Sequence, residues 1–304
     1  MNFHFWRRLA LIVLGGLALY GSGLFVIFTP LPFFYFWQKK DLSYNRGWVL
    51  ASFLISGLLL FFFYHTLLPV AYYSLFFLIG ILLAEVLFKN LEIGKGFLLV
   101  LGAVFLWSLL LLAVFWYWSG NPIPEFRASL LSLVEQVLSL NQKKSSLSGE
   151  ELLFMTQYKE VFVDRLIRTT PSLFLVSLAT VIWVNLVMAR RFFRLSGHDL
   201  TSWKVNDKAV WGLIFIGILY FANAYSIRIG WLTDGVINGL VLYGMLYFMQ
   251  GMAVVASFLG RRPSSLFRMA VYLVIFLFVQ TVGFMVIGLG LFDIWFDFRK
   301  VRKG

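Results

Sequence analysis

Apolar stretches of about 20 residues recur along the chain from Leu9 to Leu291, and they constrain the fold more than any other feature. Such a stretch is long enough to cross the hydrocarbon of a bilayer as a helix, and a helix satisfies its own backbone groups inside lipid. The composition agrees, since 61% of the 304 residues are hydrophobic and 13% are charged, against about a quarter charged in soluble domains. The sequence therefore predicts an all-α, polytopic transmembrane bundle with short amphipathic interfacial helices.

The apolar stretches predict about eight membrane spans, at residues 9–28, 48–64, 67–88, 97–118, 171–189, 209–225, 235–258 and 269–291. Residues 119–168 form an extramembrane segment between a membrane half at 1–118 and a second half with a basic tail at 169–304. Apolar residues at helical spacing in 119–168 predict two short amphipathic helices, lying flat on the membrane or over the end of the bundle. Pro171 is expected in the first turn of the fifth span, where a proline is tolerated.

The charged, cysteine and histidine residues exclude several classes of function. The chain has no cysteine and three widely separated histidines, so we expect no disulfide, no metal site and no cofactor. The common nucleophile and phosphate-binding motifs are also missing, and we predict no enzymatic activity. The formal net charge of +12 favours anionic lipid headgroups over nucleic acid as the partner of the basic loops. Lys and Arg divide equally between alternate loops of the eight-span arrangement, which leaves the membrane orientation open.

Of the seven acid and amide side chains in or beside the spans, five are neutral amides. Asn185 lies in the fifth span, Asn223 in the sixth, and Asn238 and Gln250 in the seventh, where their spacing places both on about one helix face. Amides both donate and accept hydrogen bonds, so these four residues predict a pocket for a small neutral polar ligand. The alternative interpretation is that each amide joins two helices.

The first span carries a face of small residues and ends at a proline-rich segment. Gly15, Ala18 and Ser22 recur at helical spacing and predict either packing within the bundle or docking onto a second membrane subunit. Pro30 and Pro32 follow, and two prolines deny the backbone its helical hydrogen bonds, so we expect the helix to break there. Broken backbone in lipid must be covered by protein or must line a cavity.

Several short motifs together resemble a known family. They are Pro-Leu-Pro at 30–32, Ala-Arg-Arg at 189–191, Gln-Gly-Met-Ala-Val-Val at 250–255, and Gly-Leu-Phe-Asp-Ile-Trp-Phe-Asp-Phe-Arg at 290–299. In these the chain resembles the YybS-like family of bacterial multi-pass membrane proteins, which is distantly similar to the substrate-binding S components of energy-coupling-factor transporters. The resemblance implies a bacterial plasma (inner) membrane, a small-molecule pocket, and docking of the first helix onto a coupling subunit. S components typically have six spans rather than eight.

The sequence is compatible with two functions. The first is a small-molecule-binding, transporter-like subunit, which the amides, the proline-rich segment and the resemblance favour. The second is a non-catalytic scaffold or assembly factor, whose small-residue faces and amphipathic helices recruit another membrane protein.

Overall fold

The computed structural model describes residues 3–38, 43–89, 91–144, 149–193, 203–260 and 264–299, and the regular elements within these ranges are helical. The α-helices are α1 Phe3–Gly21, α2 Pro30–Gln38, α3 Ser43–Tyr64, α4 Leu68–Phe88, α5 Ile93–Ser119, α6 Ile123–Lys144, α7 Gly149–Phe193, α8 Ala209–Ala222, α9 Gly230–Gly260, α10 Ser265–Leu277 and α11 Val279–Phe296. A 3-10 turn at Val26–Phe28 precedes α2, and a π-helical turn at Asn223–Ile227 extends α8.

Six of the described helices are long and apolar enough to cross a membrane. They are Arg46–Tyr64, Leu68–Phe88, Ile93–Ser119, Leu153–Arg190, Gly230–Gly260 and Val279–Phe296, and the shorter apolar helices are Ala209–Tyr225 and Ser265–Leu277. The predicted all-helical, multi-pass class is confirmed. The predicted count of eight spans is not confirmed, because the first and sixth apolar stretches form shorter or interrupted helices.

The chain divides into two compact units. The first unit contains Met1–Leu109, Leu175–Ala209 and Gly244–Gly304, and the second contains Leu110–Phe174 and Val210–Tyr243. The predicted boundaries at residues 118 and 168 stay a prediction about domain organisation.

In the first unit, the chain leaves its first helix earlier than predicted. Helix α1 ends at Gly21, and Gly23 adopts a left-handed φ of +66° that favours glycine. Pro30 and Pro32 lie in the first turn of α2, where a missing N–H costs no intrahelical hydrogen bond. The expectation of a first span that continues to residue 28 and breaks at the prolines is therefore wrong. The prolines begin a new helix.

Helix α2 runs beside α4 towards the same end of the unit. A Cβ added to Gly80 would lie 2.6 Å from the carbonyl oxygen of Pro30, which shows how closely the backbones approach. Near the ends of the two helices, the indole N–H of Trp37 donates to Glu85 Oε1 at 2.7 Å. Arg46, in the first turn of α3, pairs with the same oxygen at 2.6 Å. The ends of α2 and α4 therefore meet the start of α3.

Aromatic side chains fill the core between these helices. Phe33 and Tyr73 are fully buried, with Phe33 edge-on to Phe77 at a ring-centroid distance of 5.1 Å and Phe53 stacked on Phe77 at 4.3 Å. Such pairs add about 0.5–1.5 kcal/mol each beyond the burial of their area. This core holds α2 in place even though α2 is too short to cross a membrane.

Helix α7 is continuous through Pro171. The sequence predicted a separate amphipathic helix that ends before this residue, followed by a span that begins at it. That prediction is wrong, and the same helix carries both segments. Its 45 residues extend over about 67 Å at about 1.5 Å per residue.

In the second unit, α6 packs antiparallel against the first half of α7. Arg127 Nε donates to Asp164 Oδ1 at 2.8 Å, and Lys159 Nζ donates to Glu135 Oε1 at 2.5 Å. The hydrogen bond that Arg127 donates to Asp164 raises the pKa of Arg127. Leu138 and Val163 are buried. We call residues 123–144 and 149–170 the α6–α7 hairpin.

Candidate functional site

In the first unit, α9 and α11 approach until their backbones are in contact. A Cβ added to Gly290 would lie 2.7 Å from the backbone nitrogen of Gly251 and 2.9 Å from the carbonyl carbon of Tyr247. Small residues permit this approach between membrane helices. The contact brings Gln250 of α9 within hydrogen-bonding distance of Asp293 of α11.

Five residues form a polar cluster around this contact. Gln250 Nε2 donates to Asp293 Oδ2 at 3.1 Å, and the backbone N–H of Val205 donates to Gln250 Oε1 at 3.1 Å. Arg299 also donates to Asp293 Oδ2, and its Nη1 donates to the carbonyl oxygen of Trp203 at 2.8 Å. We call Trp203, Val205, Gln250, Asp293 and Arg299 the Asp293 cluster.

The carboxylate of this cluster is only half satisfied. Asp293 and Gln250 are both 0% exposed, and a buried charge is tolerated when it is paired, as Asp293 is with Arg299. Asp293 Oδ1, however, has no hydrogen-bond partner among the described residues. An unsatisfied buried acceptor costs about 1–3 kcal/mol. This oxygen can therefore gain from an N–H or O–H donor, a proton or a cation.

Asn185 satisfies the irregular backbone that follows α1. Its Nδ2 donates to the carbonyl oxygens of Ile27, in the 3-10 turn, at 2.7 Å and of Val181 at 2.8 Å. A broken backbone in lipid needs this kind of partner. Asn185 Oδ1 is buried and has no hydrogen-bond partner within the described part of the chain.

In the second unit, Asn223 joins the end of α8 to the start of α9. Its Nδ2 donates to Thr233 Oγ1 at 2.6 Å and to the carbonyl oxygen of Ile229 at 3.1 Å. Its Oδ1 accepts from the N–H of Ile229 at 2.8 Å. Arg228, between them, has a left-handed φ of 53°. The Asn223 side chain thus fixes a tight connection between two helices.

Asn238 repairs the helical hydrogen-bonding pattern around Pro171. Its Oδ1 accepts from the N–H of Ser172 at 3.1 Å, and its Nδ2 donates to the carbonyl oxygen of Arg168 at 2.9 Å. In a regular helix those two backbone groups bond to each other. The amide supplies a partner to each of them, which explains why α7 continues through a proline. One turn earlier, Asp234 pairs with Arg168 at 2.8 Å.

Of the four predicted ligand residues, two therefore lie in each unit. Asn185 and Gln250 belong to the first, and Asn223 and Asn238 belong to the second. Each bonds backbone groups at an interruption of a helix or in a connecting segment, as the alternative interpretation of the amides predicts. Their binding of a ligand stays a prediction.

Asp293 and Arg299 are site residues that the sequence did not predict, although both lie in the 290–299 motif. An acid in the last turn of a long apolar stretch, followed six residues later by an arginine, was the available signal. It is weak, because the same pattern describes an ordinary helix end at the membrane surface.

The candidate docking residues in and just after α1 do not share one environment. Gly15 lies against α2, where an added Cβ would be 3.9 Å from Pro32 Cγ. Ala18 and Ser22 are exposed, and the Ser22 hydroxyl donates to the carbonyl oxygen of Leu19. Docking of this face onto a second membrane subunit stays a prediction.

The comparisons with known proteins agree with the membrane class. A family model described as "Predicted membrane protein (DUF2232)" matches residues 9–294, so the chain belongs to this family of predicted membrane proteins. No curated protein and no solved structure matches the chain.

Proposed function

We propose that this member of the DUF2232 family is the small-molecule-binding subunit of a transporter-like assembly in a bacterial plasma membrane, and that the Asp293 cluster is its binding element. The observation that carries the proposal is the buried carboxylate of Asp293, whose Oδ1 has no partner among the described residues. Ionisable groups buried within membrane proteins typically mark ligand, ion or proton sites.

The ligand that suits this cluster is a small neutral molecule with an N–H donor, such as an amide or a nucleobase ring. Arg299 already supplies the countercharge of Asp293, so a cationic ligand would leave the cluster with an excess positive charge. An N–H group of the ligand that donates to Asp293 Oδ1 would give the second carboxylate oxygen its hydrogen-bond partner. Asn185 Oδ1, in the same unit, offers a second buried acceptor.

A ligand screen on the purified protein tests the proposal. The detergent-solubilised chain is melted in the presence of individual vitamins, nucleobases and small amides. A ligand at about 100 times its Kd stabilises the folded state by about 2.7 kcal/mol, which is a readily measured rise in melting temperature. We expect at least one compound to produce such a rise.

Two matched variants locate the effect. Asp293→Asn keeps the shape of the side chain but turns one carboxylate oxygen into an amide donor, so the ligand-induced rise is expected to disappear. Asp234→Asn changes another carboxylate that is paired with arginines but lies in the second unit, and it is expected to keep the rise. A screen without any stabilising compound, or equal ligand-induced rises in both variants, contradicts the proposal.

A scaffold or assembly factor is the second candidate function. The observation that favours it is the exposed apolar surface of the α6–α7 hairpin, which includes Val161 and Phe162. Cross-linking in membranes distinguishes the two candidates. A transporter-like subunit is expected to co-purify with a coupling subunit that joins it to a nucleotide-driven motor. A scaffold is expected to hold a stoichiometric partner without such a motor.

A further inference from the structure

An irregular segment that leads into α8 lies against the Asp293 cluster. Its residues, 203–206, have no regular secondary structure, yet Val205 is only 7% exposed. The indole of Trp203 packs against the indole of Trp183 in α7, at a ring-centroid distance of 5.4 Å, and lies beside Gly94 at the start of α5. We call residues 203–206 the strap.

Side chains of the Asp293 cluster hold the strap in place. The backbone N–H of Val205 donates to Gln250 Oε1, and Arg299 Nη1 donates to the carbonyl oxygen of Trp203. These bonds satisfy backbone groups that a buried irregular segment would otherwise leave without partners. Gln250 and Arg299 also both donate to Asp293 Oδ2. The same two side chains therefore connect the strap to the buried carboxylate.

The strap is the part of the wall around Asp293 that opens with the least disruption. Asp293 and Gln250 are both 0% exposed, so a ligand reaches them only when some of the surrounding structure moves. The contact at Gly251 and Gly290 joins two continuous helices, and separating these helices would disrupt the packing of the unit. Opening the strap breaks two hydrogen bonds to side chains and one aromatic contact, but no helical hydrogen bond. Segments held by few contacts open locally with the lowest free energy.

The strap has a fixed end at the start of α8. The carbonyl oxygen of Asn206 accepts from the N–H of Ala209 at 2.8 Å, and Asn206 Oδ1 accepts from the N–H of Lys208 at 3.0 Å. Lys204 pairs with Asp207, which lies in the same stretch of chain, so this ion pair ties the strap to no other helix. Rotation about Asn206 would therefore move residues 203–205 and leave α8 in place.

We propose that the strap is a gate, which opens to admit a ligand to Asp293 and closes through Gln250 and Arg299. The inference rests on the binding function proposed above, to which it adds the route of entry. Because Gln250 and Arg299 contact both the strap and Asp293, the position of the strap is coupled to the occupancy of the carboxylate. A ligand that binds better to the closed cluster holds the strap closed.

Cysteine labelling measures the opening of the strap directly, because the natural chain contains no cysteine. Val205→Cys places a thiol on the strap. Val100→Cys makes the same substitution at a fully buried position of α5 in the same unit. Each full-length variant is treated with N-ethylmaleimide in lipid nanodiscs, without added ligand. We expect position 205 to react about tenfold faster or more, because position 100 becomes accessible only when the unit unfolds.

Variants of Trp203 show whether the strap moves independently of the helices. Trp203→Ala removes the contact with Trp183 and is expected to raise the labelling rate at position 205 by about tenfold or more. Trp203→Phe keeps an aromatic ring and should raise it less, and the rate at position 100 should not change. Hydrogen exchange of the native chain needs no cysteine. The amide of Val205 should exchange about tenfold faster or more than the amide of Val254 in α9.

The outcomes separate the gate from the binding function. The gate is overturned if positions 205 and 100 react at the same rate, if Trp203→Ala accelerates both by the same factor, or if the amides of Val205 and Val254 exchange equally. Such a result, together with a ligand-induced rise in melting temperature that depends on Asp293, overturns the gate alone. If no compound stabilises the chain, the binding function is overturned, and the gate with it, even when the strap opens.

Discussion

The contact between α9 and α11 makes one glycine of the chain far less replaceable than its neighbour on the same helix. A methyl group at Gly290 would lie 2.7 Å from the backbone nitrogen of Gly251 and 2.9 Å from the carbonyl carbon of Tyr247. The obstructing atoms belong to a helix backbone and cannot rotate away, so the two helices must separate. Gly288, two residues earlier, has nothing within 4 Å of an added Cβ.

The expected stabilities of Gly290→Ala and Gly288→Ala therefore have opposite signs. Overpacking typically costs about 1–3 kcal/mol, and the rigid backbone places Gly290→Ala at the upper end, about 3 kcal/mol. Gly288→Ala is expected to gain up to about 1 kcal/mol, because alanine has the higher helix propensity. At about 2–4 °C per kcal/mol for large domains, the two variants should melt about 10 °C apart.

Thermal unfolding in one detergent, with both variants and the native chain measured side by side, checks this difference. The separation of α9 and α11 should also pull Gln250 away from Asp293, so Gly290→Ala should lose any ligand response that Gly288→Ala retains. If the two variants have the same melting temperature, the close backbone contact does not exist. The geometry of the Asp293 cluster, which depends on that contact, would then also be wrong.

Further outcomes follow from the amides and from the charged ends of the helices. Asn238→Leu removes the partners of the Ser172 N–H and the Arg168 carbonyl and should cost about 2–3 kcal/mol in thermal unfolding, with Asn238→Asp intermediate because it keeps the acceptor. An undiminished melting temperature for Asn238→Leu would show that α7 needs no such support. A cysteine at the exposed position of Lys95 should react with membrane-impermeant maleimide from the cytoplasmic side, and labelling from the other side excludes the orientation argued below.

The class of fold could be predicted from the sequence because lipid imposes one local rule: a helix that crosses it must be apolar along its length. The helices from Leu68–Phe88 and Ile93–Ser119 follow that rule within a few residues of the prediction. The continuity of α7 could not be predicted in this way. Pro171 ends helices by its local chemistry, and the groups that compensate for it come from Asn238, far along the chain.

The Asp293 cluster also could not be predicted from the sequence, because its members lie far apart along the chain. Gln250 was recognised as a polar residue that needs a partner, but that partner lies 43 residues away and became visible only when Gly251 and Gly290 brought two backbones into contact. The amides were correctly seen as unusual in lipid. What the sequence does not reveal is whether an amide meets a backbone group of its own chain or a ligand.

The return of the chain through α2 also bears on the membrane orientation. Tyr20, near the end of α1, donates to the carbonyl oxygen of Pro69 at the start of α4, so α1 begins near the end of α4. Helix α2 returns the chain to that end. The described cations there include Arg46, Lys89 and Lys95, and Trp203 lies against Gly94 at the start of α5.

The bond from Arg299 to the carbonyl oxygen of Trp203 adds Arg299 to this group of cations, because Trp203 lies in the connection before α8. Positive charge concentrates on the cytoplasmic side of membrane proteins, so the end that carries Lys95 should face the cytoplasm. If the proposed coupling subunit is driven by nucleotide hydrolysis, we expect it to act from this end of the first unit, close to the Asp293 cluster.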